Sequence, residues 1–184
     1  QDIISHLYRN IASGKAGLIS QVGLGTFVDP RNGGGKLNDR TTEELVRLID
    51  IEGEEYLFYW TLPVNVAVIR GTTADERGNI SMEHEGGYLG ALDVALAARV
   101  NGGMVIAQVK RMTTSGSIPP QRVFVPSTMV DYIVVESEQW PTTETPYDPA
   151  ISGEVRRPFS SFPPVEFGTD KIIARRAAME LMEG

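Results

Sequence analysis

The sequence predicts an α/β fold in which a layered, largely parallel sheet is flanked by helices. Two strand-sized apolar runs occupy residues 64–69 and 104–109, and an alanine- and leucine-rich helical segment lies between them at residues 88–100. Strands that alternate with helices are typical of a parallel sheet. The length of 184 residues and the 41% hydrophobic content suit one globular domain with a substantial core. We therefore treat residues 1–184 as a single domain.

The amino-terminal part is predicted to contain two helices and a glycine-rich loop. Apolar residues recur at helical spacing in the first segment: Ile4, Leu7, Tyr8 and Ile11. A short strand is expected at residues 17–20, and the glycine-rich loop covers residues 23–35. Thr41 and Glu44 then have the spacing of a capping box, which predicts a second helix that runs to about Asp50.

The middle of the chain is predicted to alternate between strands and a helix. Strands are expected at residues 56–60, 64–70, 104–112 and 130–136. Residues 74–79 have turn chemistry, which indicates a hairpin that leads into a further strand at residues 80–83. The helix at residues 88–100 is ended by Asn101-Gly102-Gly103.

The carboxyl-terminal part is predicted to be a long proline-rich loop followed by a helix. The loop covers residues 137–169, and loops of this length are usually functional or link two lobes. Asp170 has the position of a cap for a last helix over residues 171–182. Arg175 and Arg176 then suit the carboxyl-terminal end of that helix, where cations are favoured by the helix dipole.

The net charge and the missing cysteines exclude several classes of protein. A net charge of −7 argues against nucleic acid and against an anionic membrane face as the partner. No apolar run reaches the ~18 residues that a membrane span needs. The absence of cysteine removes disulfides and thiolate metal sites and fits a reducing compartment, so we expect a cytoplasmic protein. His6 and His84 lie far apart in sequence, and no metal site is expected.

Four motifs together resemble one known family. They are Gln21-Val22-Gly23-Leu24-Gly25-Thr26-Phe27-Val28-Asp29-Pro30-Arg31 with Gly33-Gly34-Gly35-Lys36-Leu37-Asn38; Arg70-Gly71-Thr72-Thr73-Ala74-Asp75 with Gly78-Asn79; Asn101-Gly102-Gly103; and Ile173-Ala174-Arg175-Arg176-Ala177 with Glu180. In order and spacing the chain resembles family I coenzyme A transferases of the propionate CoA-transferase type. The resemblance covers nearly the whole chain.

The resemblance implies a fold, an activity and a missing part. It implies a scaffold like that of ribose-phosphate isomerases, and an enzyme that moves CoA between an acyl-CoA and a short-chain carboxylate through a glutamyl-CoA thioester. It implies no metal or redox cofactor, because the CoA thioester is the substrate. The chain begins with Gln1 and resembles an interior part of the family's amino-terminal half, whose catalytic glutamate lies in the other half. We therefore expect an inactive segment that exposes apolar surface and forms a homo-oligomer.

The glycine-rich loop provides the candidate substrate-binding residues. Glycines let backbone amides approach a ligand, so Gly23, Leu24, Gly25 and Thr26 are predicted to form walls and donors for the carboxylate or thioester. The other interpretation is a plain tight turn. Gly33 and Gly34, with Gly35, form either a flap over the substrate or a flexible surface loop. Arg31 and Lys36 are interpreted as solvated charges rather than as contacts for CoA phosphates.

Glu85 is the one candidate catalytic residue in this segment. Glu85-Gly86-Gly87-Tyr88-Leu89-Gly90 has the spacing Glu-x-Gly-x-x-Gly, which resembles the family's catalytic motif, and a carboxylate nucleophile is what the chemistry requires. However, Glu85 follows Ser81-Met82-Glu83-His84 rather than a buried apolar strand. We interpret it as a residue in a strand-to-helix turn. An acyl-CoA hydrolase and a non-catalytic sensor of small ligands remain as alternatives for the whole protein.

Overall fold

The computed structural model describes residues 2–140 and 146–181, and the predicted helix end at Met182 lies outside them. Its helices are α1 (Asp2–Ala12), α2 (Ala91–Val100), α3 (Pro149–Ser152) and α4 (Thr169–Ala178). Its strands are β1 (Gly17–Ser20), β2 (Val46–Ile51), β3 (Glu54–Trp60), β4 (Val66–Arg70), β5 (Thr73–Asp75), β6 (Ile80–Ser81), β7 (Met104–Val109), β8 (Arg111–Thr113) and β9 (Tyr132–Val135). Within this described part, these strands form three sheets of three strands each.

The first sheet is antiparallel, with the order β1-β3-β2. Its strand β2 replaces the helix that was predicted from Thr41 and Glu44, so that prediction was wrong. Glu52 and Gly53 both have positive φ angles, 55° and 87°, which is the geometry of a two-residue hairpin turn between β2 and β3. Val46 packs into the core with Leu57 and Tyr59. Pairing and packing therefore outweigh the local capping signal.

The central sheet is parallel, with the order β4-β7-β9, which confirms the α/β fold class with a parallel sheet and helices. One face carries the buried residues of β4 and β7, which share a core with helix α2: Ala67, Ile69, Val105, Ala107, Val109, Ala95 and Ala98. Helix α2 begins at Ala91 because Leu89 and Gly90 have positive φ angles. The carboxyl ends of β4 and β7 therefore meet at one edge of the sheet.

A third small sheet continues from that edge, with the order β6-β5-β8. The predicted hairpin is present, since β5 pairs antiparallel with β6. The buried Asp75 closes its turn by accepting hydrogen bonds from the amides of Arg77 and Asn79, at 3.0 and 2.9 Å. The strand predicted at residues 104–112 is divided at Lys110, so that β8 joins β5 in this sheet.

The carboxyl-terminal segment is largely exposed: of residues 153–181, all but Lys171 are exposed. The predicted proline-rich loop contains the short helix α3, whose cap is Asp148. Helix α4 begins at Thr169 after the cap residue Gly168, so the prediction that Asp170 is the cap was wrong. Asp170 lies instead in the first turn, where its charge suits the helix dipole. The apolar residues expected to be exposed in this region are exposed: Trp140, Phe159, Phe162, Ile172, Ile173, Ala177 and Met179.

The second face of the central sheet is uncovered and apolar. Alternate residues of the three strands lie on it in register, with Val66 beside Met104 and Val68 beside Ile106. Val68 is 71% exposed, and Tyr132 and Val134 of β9 are exposed on the same face. Parallel sheets are normally covered on both faces, so this surface is a candidate contact for further protein. No helix among residues 2–140 and 146–181 is long and apolar enough to cross a membrane.

Candidate functional site

The glycine-rich loop is organised around the buried carboxylate of Asp29. Oδ2 of Asp29 accepts a hydrogen bond from the amide of Gly25 at 2.9 Å, and Oδ1 accepts from the amide of Arg31 at 3.0 Å. The Arg31 guanidinium donates to both oxygens, at 3.0 and 2.8 Å. These contacts, above all the hydrogen bonds from Arg31, hold the pKa of Asp29 well below its usual range. Asp29 is therefore ionised at neutral pH.

This arrangement uses the backbone amides that were predicted to face the substrate. Leu24 donates to the carbonyl of Gln21 at 3.1 Å, Gly25 donates to Asp29, and Thr26 donates to the carbonyl of Gly23 at 3.0 Å. The chain's own carboxylate thus fills the anion nest. The outer side of the loop faces open space at Gly25, because a Cβ atom added there would meet no atom within 4 Å. The loop can therefore form a wall beside a ligand. The role of these residues in substrate binding stays a prediction.

Gly33 and Gly34 lie in a turn that folds back on the same loop. Both have positive φ angles, 113° and 63°, which favour glycine. The amide of Gly34 donates to the carbonyl of Asp29 at 3.0 Å, and Gly34 is buried. Lys36 pairs with Glu44 at 2.6 Å, so its charge has a protein partner. The predicted flap is therefore hydrogen-bonded in place here, and its closing over substrate stays a prediction.

Glu85 lies at the carboxyl end of β4, in a buried ion pair. Its side chain is 6% exposed, and Oε2 accepts hydrogen bonds from Nε and Nη2 of Arg70 at 2.9 and 2.6 Å. Oε1 accepts a hydrogen bond from Nε2 of Gln139 at 3.2 Å, and the same nitrogen donates to the carbonyl of Gly71 at 2.7 Å. Both carboxylate oxygens are therefore engaged, which suits a structural residue better than a nucleophile.

A second polar group lies beside it, where β5 and β8 run parallel. Arg111 donates from Nε to the Thr73 hydroxyl at 2.9 Å and from Nη2 to Oε1 of Glu83 at 2.8 Å. The Thr73 hydroxyl also donates to Oε1 of Glu83. Burial raises the pKa of Glu83, but the hydrogen bond from Thr73 and the Arg111 charge outweigh it, so the pKa lies below its usual value. Glu83 is therefore ionised at neutral pH.

This group forms one wall of a cleft of about 620 Å³, which we call the β6 cleft. It is lined by Ser81, Met82, Glu83, His84, Tyr88, Arg111, Gln121, Arg122, Val123, Phe124 and Glu154. A neighbouring cavity of about 300 Å³ shares Ser81, Glu83, Arg111 and Arg122 with it. None of these lining residues belongs to the glycine-rich loop. The cleft lies beyond the carboxyl ends of parallel strands, where ligands bind in open α/β sheets.

The proline-rich loop closes one side of the β6 cleft. The Tyr147 ring stacks on His84 with centroids 4.6 Å apart, and Nζ of Lys110 lies 3.7 Å from the Tyr147 ring centroid. Nε2 of His84 lies 3.3 Å from Oε1 of Glu154. Within residues 2–140 and 146–181, no group of three or more histidine or acidic side chains is placed to hold a metal ion.

Several of these residues were not found by sequence reasoning. Asp29 and Arg31 lie within the first motif, but nothing in the order of residues reveals that they bind each other and Gly25. Arg111 lies within the strand predicted at residues 104–112, and only the division of that strand at Lys110 places it just beyond the carboxyl end of β7. Arg122 ends a short 3-10 helix (Pro120–Arg122) and lies 41 residues after the end of β6, and only the fold brings it to the cleft.

Comparisons with known proteins agree with this architecture. The chain is 49% identical to a caffeate CoA-transferase of Acetobacterium woodii over 100% of this chain and 36% of the relative. It is 37% identical to the acetate CoA-transferase YdiF of Escherichia coli K12, over 100% of this chain and 35% of that relative. The chain therefore spans about a third of the length of these relatives.

Solved structures show the same fold. The crystal structure of the acyl-CoA transferase YdiF from Escherichia coli O157:H7 matches with a TM-score of 0.85 at 37% identity, covering 99% of this chain and 34% of that one. Glutaconate coenzyme A-transferase from Acidaminococcus fermentans shares the fold, with a TM-score of 0.58 at 22% identity over 73% of this chain and 44% of that one. The family model described as Coenzyme A transferase matches residues 11–136. The chain belongs to the coenzyme A transferase family.

Proposed function

We propose that this chain is an interior part of the amino-terminal half of an enzyme that moves CoA from an acyl-CoA to a carboxylate. The observation that carries the proposal is the 49% identity to a CoA-transferase along the whole chain. The proposed chemistry is a ping-pong transfer. A glutamate carboxylate attacks the thioester and displaces CoA thiolate; the thiolate then attacks the glutamyl carbonyl and releases the acid, which leaves a glutamyl-CoA thioester. A second carboxylate takes the CoA by the reverse steps.

The catalytic glutamate is proposed to lie outside this segment. The only Glu-x-Gly-x-x-Gly motif of this chain carries Glu85, which is buried and paired with Arg70. A nucleophile of this kind needs an accessible carboxylate oxygen, and both oxygens of Glu85 are engaged. The proposed contribution of this segment is the wall formed by Gly23, Leu24, Gly25 and Thr26, with Gly33 and Gly34 above it. No metal or redox cofactor enters these steps.

Two kinds of acid are supported as the carboxylate substrate. The resemblance to the propionate type implies a short-chain acid, and the name of the YdiF relative includes acetate. The caffeate CoA-transferase relative acts, by its name, on an aromatic acid. We propose a cytoplasmic enzyme in either case, since acyl-CoA thioesters are its substrates.

The proposal is tested on the full-length enzyme by product analysis with and without an acceptor carboxylate. We expect acyl-CoA to be consumed only when the acceptor is present, with a covalent CoA adduct on a glutamate outside residues 1–184, located by peptide mapping. Acyl-CoA consumption without an acceptor would identify a hydrolase. An adduct on Glu85 would contradict the assignment of the catalytic residue, and acyl-CoA binding without turnover would favour a sensor.

The uncovered face of the central sheet carries a prediction about association. We propose that this face contacts further protein, and that the 184-residue chain alone uses it to form a two-fold dimer. Val68→Glu places a charge on the face and is expected to shift the chain to a monomer, measured by light scattering across a wide concentration range. Leu37→Glu is the matched control, because Leu37 is 82% exposed on a loop. A wild-type chain that is monomeric at high concentration would contradict the prediction.

A further inference from the structure

The β6 cleft is large and has a flat apolar wall. Its volume of about 620 Å³ lies in the range of ligand pockets for molecules that contain a ring, and acetate would leave most of it empty. The rings of Tyr88 and Phe124 stack with centroids 4.2 Å apart and planes 23° apart. Met82 lines the same cleft and is buried. A planar ring is the shape that this aromatic and thioether surface binds best.

The charges of the cleft suit a ligand with a single negative charge. Arg111 is already paired with Glu83, whereas the exposed Arg122 side chain donates no hydrogen bond within the described residues. Glu154 beside His84 also lines the cleft, so the two acidic and the two arginine side chains of the lining balance each other in charge. A polyanion such as the nucleotide end of CoA would bind weakly in a cleft that has no net positive charge. One carboxylate placed at Arg122 is matched by one guanidinium.

Two buried hydrogen-bond acceptors in the wall lack a partner. They are Oε2 of Glu83 and Nδ1 of His84, neither of which is satisfied within the part of the chain described. Because Nε2 of His84 faces Oε1 of Glu154 at 3.3 Å, we assign the proton to Nε2, which leaves Nδ1 with a lone pair. Buried polar atoms are normally hydrogen-bonded. A ligand hydroxyl would supply the missing donor.

We propose that the β6 cleft binds the carboxylate substrate of the transfer reaction and that this substrate is a hydroxylated aromatic acid. Its carboxylate pairs with Arg122, its ring lies along Tyr88 and Phe124, and its hydroxyl donates to Nδ1 of His84. That this acid is a substrate rests on the proposed function, whereas its binding to the β6 cleft requires no catalytic step. The proposal selects the aromatic acid over the short-chain acid and assigns residues to its recognition.

The test is calorimetric titration of the full-length enzyme, without CoA, with 4-hydroxycinnamate, cinnamate and acetate. We expect 4-hydroxycinnamate to bind most tightly and acetate least. Arg122→Gln is expected to weaken both aromatic acids by about tenfold. His84→Phe keeps a ring against Tyr147 but loses the acceptor, so it is expected to weaken 4-hydroxycinnamate by about three- to tenfold and to leave cinnamate unchanged. Arg77→Gln, at an exposed position outside the cleft lining, is the control and should bind like the wild type.

Two results would overturn the proposal. One is unchanged aromatic-acid binding in Arg122→Gln, a surface variant that is expected to fold normally. The other is displacement of 4-hydroxycinnamate by adenosine 3′,5′-bisphosphate, which would assign the cleft to the nucleotide part of CoA. The proposed function can fail separately from the proposed binding site. If the enzyme transfers CoA to no acid but shows the predicted binding pattern, the binding site stands and the transferase function is wrong.

Discussion

Gly25→Val in the full-length enzyme is expected to raise the Michaelis constant for the acyl-CoA thioester by roughly tenfold. The new side chain would extend outward from the wall, because no atom lies within 4 Å of the position of its Cβ. If the loop borders the active site, as we propose, that space belongs to the thioester. Steady-state kinetics at varied acyl-CoA concentration measures the effect.

A matched control separates lost space from backbone strain. Gly25 has a φ angle of 73°, so a β-branched residue there is also strained, at about 1–3 kcal/mol. Gly53 has a φ angle of 87° and the same open surroundings, but it lies in the β2–β3 turn. Gly53→Val should therefore lower stability to a similar degree and leave the Michaelis constant unchanged. An unchanged Michaelis constant in a folded Gly25→Val enzyme would show that the loop is a plain turn that does not border the substrate.

Arg70→Leu is expected to lower the free energy of unfolding by about 3–5 kcal/mol. The substitution leaves the Glu85 carboxylate buried without the guanidinium that now contacts it at 2.6 and 2.9 Å. Urea denaturation of the 184-residue chain measures the change as a shift of the unfolding midpoint.

The double variant Arg70→Leu/Glu85→Leu tests whether the two residues act as a pair. It leaves no uncompensated charge, so it should be more stable than Arg70→Leu alone. Stability losses that simply add would show that Glu85 does not depend on Arg70. In that case the interpretation of Glu85 as a structural carboxylate would lose its physical basis.

Most of the fold could be predicted because the apolar periodicity is strong where the structure is regular. The runs that became β4 and β7 and the helix α2 between them were recognisable from the sequence alone. The error at β2 has a physical cause: the Thr41–Glu44 spacing is a local signal, whereas β2 is held by pairing with β3 and by Val46 in the core. Local propensity is a weak guide when such tertiary contacts compete with it.

The candidate site was less predictable, since its chemistry depends on contacts between distant segments. The glycine pattern identified the loop. Only the structure shows that the buried Asp29 carboxylate accepts a hydrogen bond from the Gly25 amide. Glu83 and Arg111 are 28 residues apart and meet because β6, which precedes Glu83, and β8 both pair with β5. Arg122 and Glu154 reach the same cleft from two separate loops. Neither the spacing nor the composition of the sequence reveals such contacts between distant residues.

We propose that the catalytic glutamate of the whole enzyme lies outside this segment. An assay of acetate-dependent CoA exchange on propionyl-CoA, carried out with the 184-residue chain alone, tests this assignment. We expect no turnover above the uncatalysed rate, for the wild-type chain and for Glu85→Ala alike. Robust turnover by the wild-type chain that Glu85→Ala abolishes would show that Glu85 is the catalytic residue.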